Sequence, residues 1–158
     1  MKAVWINLAA AAAVVAVCLL CFRLDALLPF TLPDTPDCMA WIFLLAGAGM
    51  IVAAVAALLS RGGSTGAPAD PTRRLVRSGI YRWLRNPIYA GGALVLLGVS
   101  LARSSPVLLL AACLFPIVLH FTVVRSEEER MERDFGQAYL AYKKTVPRWI
   151  PRPRKPSS

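Results

Sequence analysis

Residues 87–124 read PIYAGGALVLLGVSLARSSPVLLLAACLFPIVLHFTVV, two apolar stretches joined by Arg103-Ser104-Ser105-Pro106. This stretch reads as an up-and-down pair of helices, Pro87 to Ala102 and Pro106 to Val124, folded as a hairpin in a membrane. At about 1.5 Å per residue the first arm reaches roughly 24 Å, against a hydrocarbon core of about 30 Å. Its N-terminal neighbours must therefore sit at or just inside the interface. A hairpin returns the chain to the side it left, so the segments flanking it become neighbours. One is Gly79-Ile80-Tyr81-Arg82-Trp83-Leu84-Arg85-Asn86-Pro87-Ile88-Tyr89. The other begins at Glu127-Glu128-Glu129 and continues through Phe135-Gly136, Tyr139 and Tyr142 to Val146-Pro147-Arg148-Trp149-Ile150-Pro151.

Composition supports membrane spans on a larger scale. Of 158 residues, 57% are hydrophobic and 17% charged, against about 25% charged in a typical soluble domain. The apolar residues fall in blocks. Two precede the hairpin: Ala3 to Phe22, and Cys38 to Ser60 without a charge. Lys2 and the Ala/Val run resemble a signal peptide, but no small-residue cleavage site follows promptly, so a retained span is expected. The fold expected is all-α, an integral membrane bundle of about four transmembrane helices with a cytoplasmic C-terminal helical segment. The divisions are residues 1–60 (first hairpin), 61–78 (cytoplasmic linker), 79–151 (functional core) and 152–158 (disordered basic tail).

Sixteen of the 18 basic residues lie at Lys2, in Arg61 to Arg85 or in Arg125 to Lys155, whereas Arg23 to Asp37 is net acidic. The positive-inside rule then places both termini and the Arg61–Arg85 loop in the cytoplasm, and a prokaryotic cytoplasmic membrane is the expected location. The net charge of +9 is thereby accounted for by topology and anionic lipid, and no nucleic-acid partner is expected. Cys18 and Cys21 form a C-x-x-C inside an apolar span without a second pair or a nearby His, so they read as small core residues rather than a metal or redox site.

Local signals refine the polar segments. Asn86-Pro87 suits a helix start, with Asn as the cap and Pro at the first helical position. The free N–H groups there form an anion-binding spot. Gly91, Gly92 and Gly98 serve either close helix packing or room for a flat ring. The last apolar helix is expected to run out of the membrane to about Asp134 and to end at Gly136. A short helix over Gln137 to Lys144 would set Tyr139 and Tyr142 on one face. An i,i+4 pair is expected between Glu129 and Arg133. Glu127 and Glu128, nearer the membrane, each require a cation, either a loop arginine such as Arg85 or a cationic ligand. His120, four residues after Pro116, reads equally as a functional group or as a partner for a carbonyl freed by the proline.

Arg85-Asn86-Pro87-Ile88-Tyr89-Ala90-Gly91, Glu127-Glu128, Phe135-Gly136 with Tyr139 and Tyr142, and Val146-Pro147-Arg148 together resemble the isoprenylcysteine carboxyl methyltransferase and phospholipid methyltransferase superfamily. The likeness spans roughly Gly79 to Pro151. It implies an S-adenosylmethionine-dependent enzyme that methylates a lipophilic acceptor reaching it from the bilayer, with the first two spans lining the lateral access. It also implies cofactor-binding roles for Tyr81, Arg85, Asn86, Pro87, Tyr89, Gly91, Glu127, Glu128, Tyr139, Tyr142 and Arg148. No catalytic residue is assigned. Asn86 replaces a family His and cannot titrate, so a role as base falls away at that position. The competing readings are an NADPH-dependent membrane reductase of the sterol-reductase kind and a non-enzymatic four-helix accessory protein.

Overall fold

The computed structural model describes residues 16–17, 19–28, 30–33, 36–64 and 72–151. Most of the first apolar block, Cys18, part of the linker and the basic tail lie outside the described residues. Those described contain helices and irregular segments and no strand. Helix α1 spans Asp37–Ala57 and widens into a π turn at Leu58–Gly62. Helices α2 (Pro87–Ala102) and α3 (Pro106–Leu119) form the expected hairpin. A π turn at His120–Val124 leads from α3 into α4, Arg125–Thr145.

The architecture is an all-helical membrane bundle. Asp37–Gly62 and Pro106–Thr145 each contain an apolar window long enough to cross a bilayer, yet only 22% and 17% of those windows is buried. A helix in a soluble core would be mostly covered. Here Trp41, Ile42, Leu45 and Val52 on α1, and Leu110, Leu114, Ile117 and Val118 on α3, face outward, as lipid-facing side chains do. The membrane part of the long C-terminal helix is its first half, through Val124; α4 carries the charges and lies beyond it.

Glycine decides how α1 meets α2. A Cβ at Gly47 would come within 2.6 Å of the Gly91 carbonyl oxygen, and one at Gly91 within 2.8 Å of the Gly47 oxygen. The two backbones therefore touch, the arrangement that small residues allow in membranes. A Cβ at Gly98 would strike Leu44 and the Ala40 carbonyl. Gly92 faces Phe115 of α3, 3.3 Å from where its Cβ would lie. Packing is thus the role of these positions.

The turn between α2 and α3 is fixed from both sides. Ser104 takes a positive φ of 45°. The Ser105 hydroxyl accepts from the Leu108 N–H at 3.0 Å and donates to Asp25, whose other oxygen accepts from the Val107 N–H at 3.1 Å. Asp25 thereby supplies a second cap to α3 and ties the first connection to the hairpin. Helix α4 is broken at Gly136, which has φ 50° and ψ −128°. The two helical pieces expected on either side of Gly136 are present.

Residues 72–85 do not form a continuous helix. They run irregularly to a 3-10 turn at Gly79–Arg82, with Gly79 at φ 63°. Val76 and Tyr81 pack on Ala54, Ala57 and Leu58 of α1 and its π turn. Leu75 packs on the cluster of Tyr139, Tyr142 and Val146. The segment is therefore held between the membrane bundle and the C-terminal helix.

Candidate functional site

The N-terminus of α2, the start of α4 and the chain after Gly136 meet around one cavity of about 110 Å³. A single water needs about 10–15 Å³ on the same measure, so the space accommodates a ligand. Of the eleven residues singled out in the sequence, Tyr81, Arg85, Asn86, Pro87, Tyr89, Glu127, Glu128, Tyr139 and Tyr142 line it. Gly91 and Arg148 do not. Gly91 is taken up by the contact with α1. Arg148 approaches from behind, through Glu128.

The adjacent glutamates have different surroundings. Glu128 is buried, 5% exposed, and saturated with cations. Arg148 grips it with two parallel bonds, Nε to Oε1 at 2.8 Å and Nη2 to Oε2 at 2.6 Å. Arg85 Nη1 reaches Oε1 at 2.8 Å, and Lys143 Nζ stands 3.8 Å from Oε2. Such bidentate, charge-assisted contacts hold geometry as well as charge. Arg148 Nη1 also lies 2.9 Å from His120 Nδ1. Arginine has only donors, so the imidazole nitrogen accepts. That links His120, at the start of the π turn, to the C-terminal segment, a link with no sign in the local pattern of residues.

Glu127 has no salt bridge among the described residues. It accepts from the Tyr89 hydroxyl at 2.9 Å. Burial pushes its carboxyl above the ordinary value of 4.5, while the Tyr89 hydrogen bond and the charge of Arg130 pull the other way. Facing the same cavity are Arg85, Asn86 and Arg130. The Arg85 Nε, Asn86 Nδ2 and Arg130 Nε atoms are buried without a hydrogen-bond partner. Buried donors rarely stay unpaired in native proteins, and the cavity offers these three either water or acceptors on a ligand as partners.

The capping expected of Asn86 is only half correct. Its carbonyl accepts from the Ala90 N–H at 3.1 Å, but its side chain makes no capping bond. Pro87 at the first helical position supplies no N–H, and Asn86 lines the cavity with its Nδ2 buried and uncapped. The Glu129–Arg133 pair also does not form. Lys143, brought across by the break at Gly136, pairs with Glu132 instead, and Glu129 is exposed.

The C-terminal segment is latched by further bonds. The Arg85 N–H donates to the Pro147 carbonyl at 3.0 Å, and the Tyr142 hydroxyl to the Tyr81 carbonyl at 2.6 Å. Burial raises the Tyr142 hydroxyl well above its ordinary value, so it stays a donor. Tyr139 and Tyr142 lie on one face, ring centroids 6.0 Å apart.

Lining residues missed in the sequence include Arg130, Met131, Thr72, Leu75 and Val76. Arg130 was findable, since it lies three residues from Glu127 on one helix face. Thr72 and Leu75 carried no such sign; the Thr72 hydroxyl meets the Met131 sulfur at 3.6 Å only because the linker folds back.

Residues 36–138 match the family model for phospholipid methyltransferases. This stretch takes in α1 as well as the hairpin and most of α4. The protein-S-isoprenylcysteine O-methyltransferase of Homo sapiens is 37% identical over 82 residues, 51% of this chain and 28% of that protein. The Xenopus laevis protein of the same name is 34% identical over 77 residues, 49% of this chain and 27% of its own length. The matched stretch thus represents little more than a quarter of those relatives. The membrane hairpin, the cavity at its polar end and the match over most of the described bundle lead to one conclusion: the chain belongs to the phospholipid methyltransferase family.

Proposed function

We propose that this protein transfers a methyl group from S-adenosylmethionine to a lipophilic acceptor presented by the membrane. The observation that carries the reading is the meeting, in one cavity, of a half-buried carboxylate that forms no salt bridge among the described residues with three unpartnered buried N–H donors. A ligand complementary to that lining carries a cation and a carboxylate together, as the amino-acid end of S-adenosylmethionine does. Glu127 would hold the ammonium. Arg85, Asn86 and Arg130 would hold the carboxylate, assisted by the positive end of α2. Tyr81, Tyr89, Tyr139 and Tyr142 offer ring faces for a sulfonium or an adenine.

When bound, the cofactor supplies an electrophilic methyl group on sulfur. The chain's part is to position, neutralise and exclude water. Glu128, Arg85 and Arg148 fix the wall, and the apolar side chains of Leu58, Leu75 and Val76 keep it dry. Asn86 does not titrate, so this position binds and does not act as a base. A carboxylate acceptor needs none. With the hairpin spanning the bilayer and both termini cytoplasmic, a soluble cofactor reaches the cavity from the cytoplasm and the acceptor from the membrane.

Thermal-shift titration of the purified protein with S-adenosylhomocysteine and, separately, with NADPH tests the reading. Saturable stabilisation by S-adenosylhomocysteine is expected, together with transfer of labelled methyl from S-adenosylmethionine into solvent-extractable lipid. Stabilisation by NADPH alone would overturn it.

A further inference from the structure

We propose that residues 72–83 are a docking strap for anionic phospholipid headgroups, and that the membrane's surface charge thereby orders one wall of the cavity. The inference goes beyond the assigned chemistry and does not depend on it. It rests on how the segment divides its side chains. Leu75, Val76 and Tyr81 turn inward to the two apolar clusters or the cavity. Arg73, Arg74, Arg77 and Arg82 are exposed, and none has a carboxylate partner among the described residues. No Asp or Glu occurs between Asp70 and Glu127 in the sequence, so the segment itself holds nothing to neutralise them.

The position of the strap selects the partner. It runs directly into Pro87, the first residue of the short membrane arm, and so lies at headgroup level. Trp83 is 44% exposed there, with the Arg82 guanidinium 5.3 Å from its ring centroid. Exposed tryptophan beside arginine is the composition of a membrane interface. Basic side chains at an anionic surface each contribute roughly a fivefold change in partitioning, lost beyond a Debye length.

The strap is also weakly held by its own backbone. The Arg73 and Arg74 N–H groups share the Gly62 carbonyl, at 2.9 and 3.3 Å, and residues 75–78 donate no backbone bond before the 3-10 turn at Gly79–Arg82. A segment with so few internal bonds opens easily, so neutralising its arginines from outside should close it against α1 and α4.

Hydrogen exchange of the full-length protein in lipid nanodiscs tests this without reference to any cofactor. Peptides covering residues 72–83 should exchange several-fold more slowly in discs containing phosphatidylglycerol than in phosphatidylcholine alone. High salt should remove the difference. So should the triple substitution Arg73→Gln, Arg74→Gln and Arg77→Gln, with exchange in α2 and α3 unchanged as the control for folding. Equal exchange in the two lipids overturns the proposal, as does a lipid effect that persists in the triple variant. Inorganic phosphate added to phosphatidylcholine discs is the remaining arm; protection by phosphate alone would assign the patch to a soluble anion and overturn the lipid reading.

Discussion

The α1–α2 contact and the Arg85–Glu128–Arg148 cluster position the same cavity by opposite physics. In the first, Gly47 and Gly91 let two backbones touch, so shape alone sets the distance. In the second, a buried carboxylate gathers two arginines from segments far apart in sequence, so charge sets it. Lipid offers no hydrophobic drive to join helices, and close approach must supply the contact. At the polar end burial is available but charges are costly, and complete pairing must supply it. The contact by shape involves residues that do nothing else. The contact by charge uses Arg85, which also faces the ligand cavity with an unpaired Nε. On the proposed function, stability and binding are therefore coupled at one end of α2 and separate along its length.

Removing the hub of the charged cluster should have the largest effect. Glu128→Ala leaves Arg85 and Arg148 facing each other without an anion and should cost about 3–5 kcal/mol, read as a large fall in melting temperature in detergent. A small effect would mean that the arginines are held by shape. Its neighbour should behave differently. Glu127→Gln should leave the ligand-free melting temperature unchanged or slightly higher while weakening S-adenosylhomocysteine binding roughly ten- to hundredfold, measured by titration calorimetry. Equal loss of stability in both variants would erase the distinction between them.

The same residue predicts a pH dependence. The Glu127 carboxyl is raised in the folded protein, so the folded state keeps this proton to higher pH than the unfolded one. Its contribution to stability therefore declines as pH rises from about 4.5 through the raised value. A ligand cation pairs only with the ionised form, so affinity should rise over that window and be flat in Glu127→Gln.

Smaller effects probe the contact by shape and the latch. Gly91→Ala places a methyl 2.8 Å from both the Gly47 oxygen and Ile51 Cγ1. It should cost about 1–3 kcal/mol with little change in affinity per folded molecule; a large affinity loss would show that helix spacing also tunes the cavity. Tyr142→Phe removes one hydrogen bond to the Tyr81 carbonyl and should cost about 1 kcal/mol, seen in the same melts.

The hairpin was legible because its evidence is local. Prolines at 87 and 106 start helices, Arg103 to Ser105 breaks them, and the intervening residues are apolar. Gly136 as a helix break was legible for the same reason. The site was legible in membership but not in roles. Topology alone brings Arg85–Tyr89 beside Glu127–Glu128, yet nothing in Glu-Glu tells which carboxylate the arginines take. Successive helix residues point about 100° apart, and only the placement of the C-terminal segment decided that Glu128 turns to Arg148 and Glu127 to Tyr89. Helical spacing likewise permits the Glu129–Arg133 pair, which does not form, whereas the Lys143–Glu132 pair that does form depends on the break at Gly136.

By itself, then, the sequence determined the apolar segments, their breaks and the gathering of the polar residues at one end of the hairpin, because hydropathy and turn chemistry act over a few residues. The tertiary structure alone decided that Gly91 is spent on packing, that Asn86 lines the cavity without a capping bond, that Arg148 works through Glu128, and that Glu127 forms no salt bridge among the described residues. Those outcomes depend on distances between segments that no local pattern encodes.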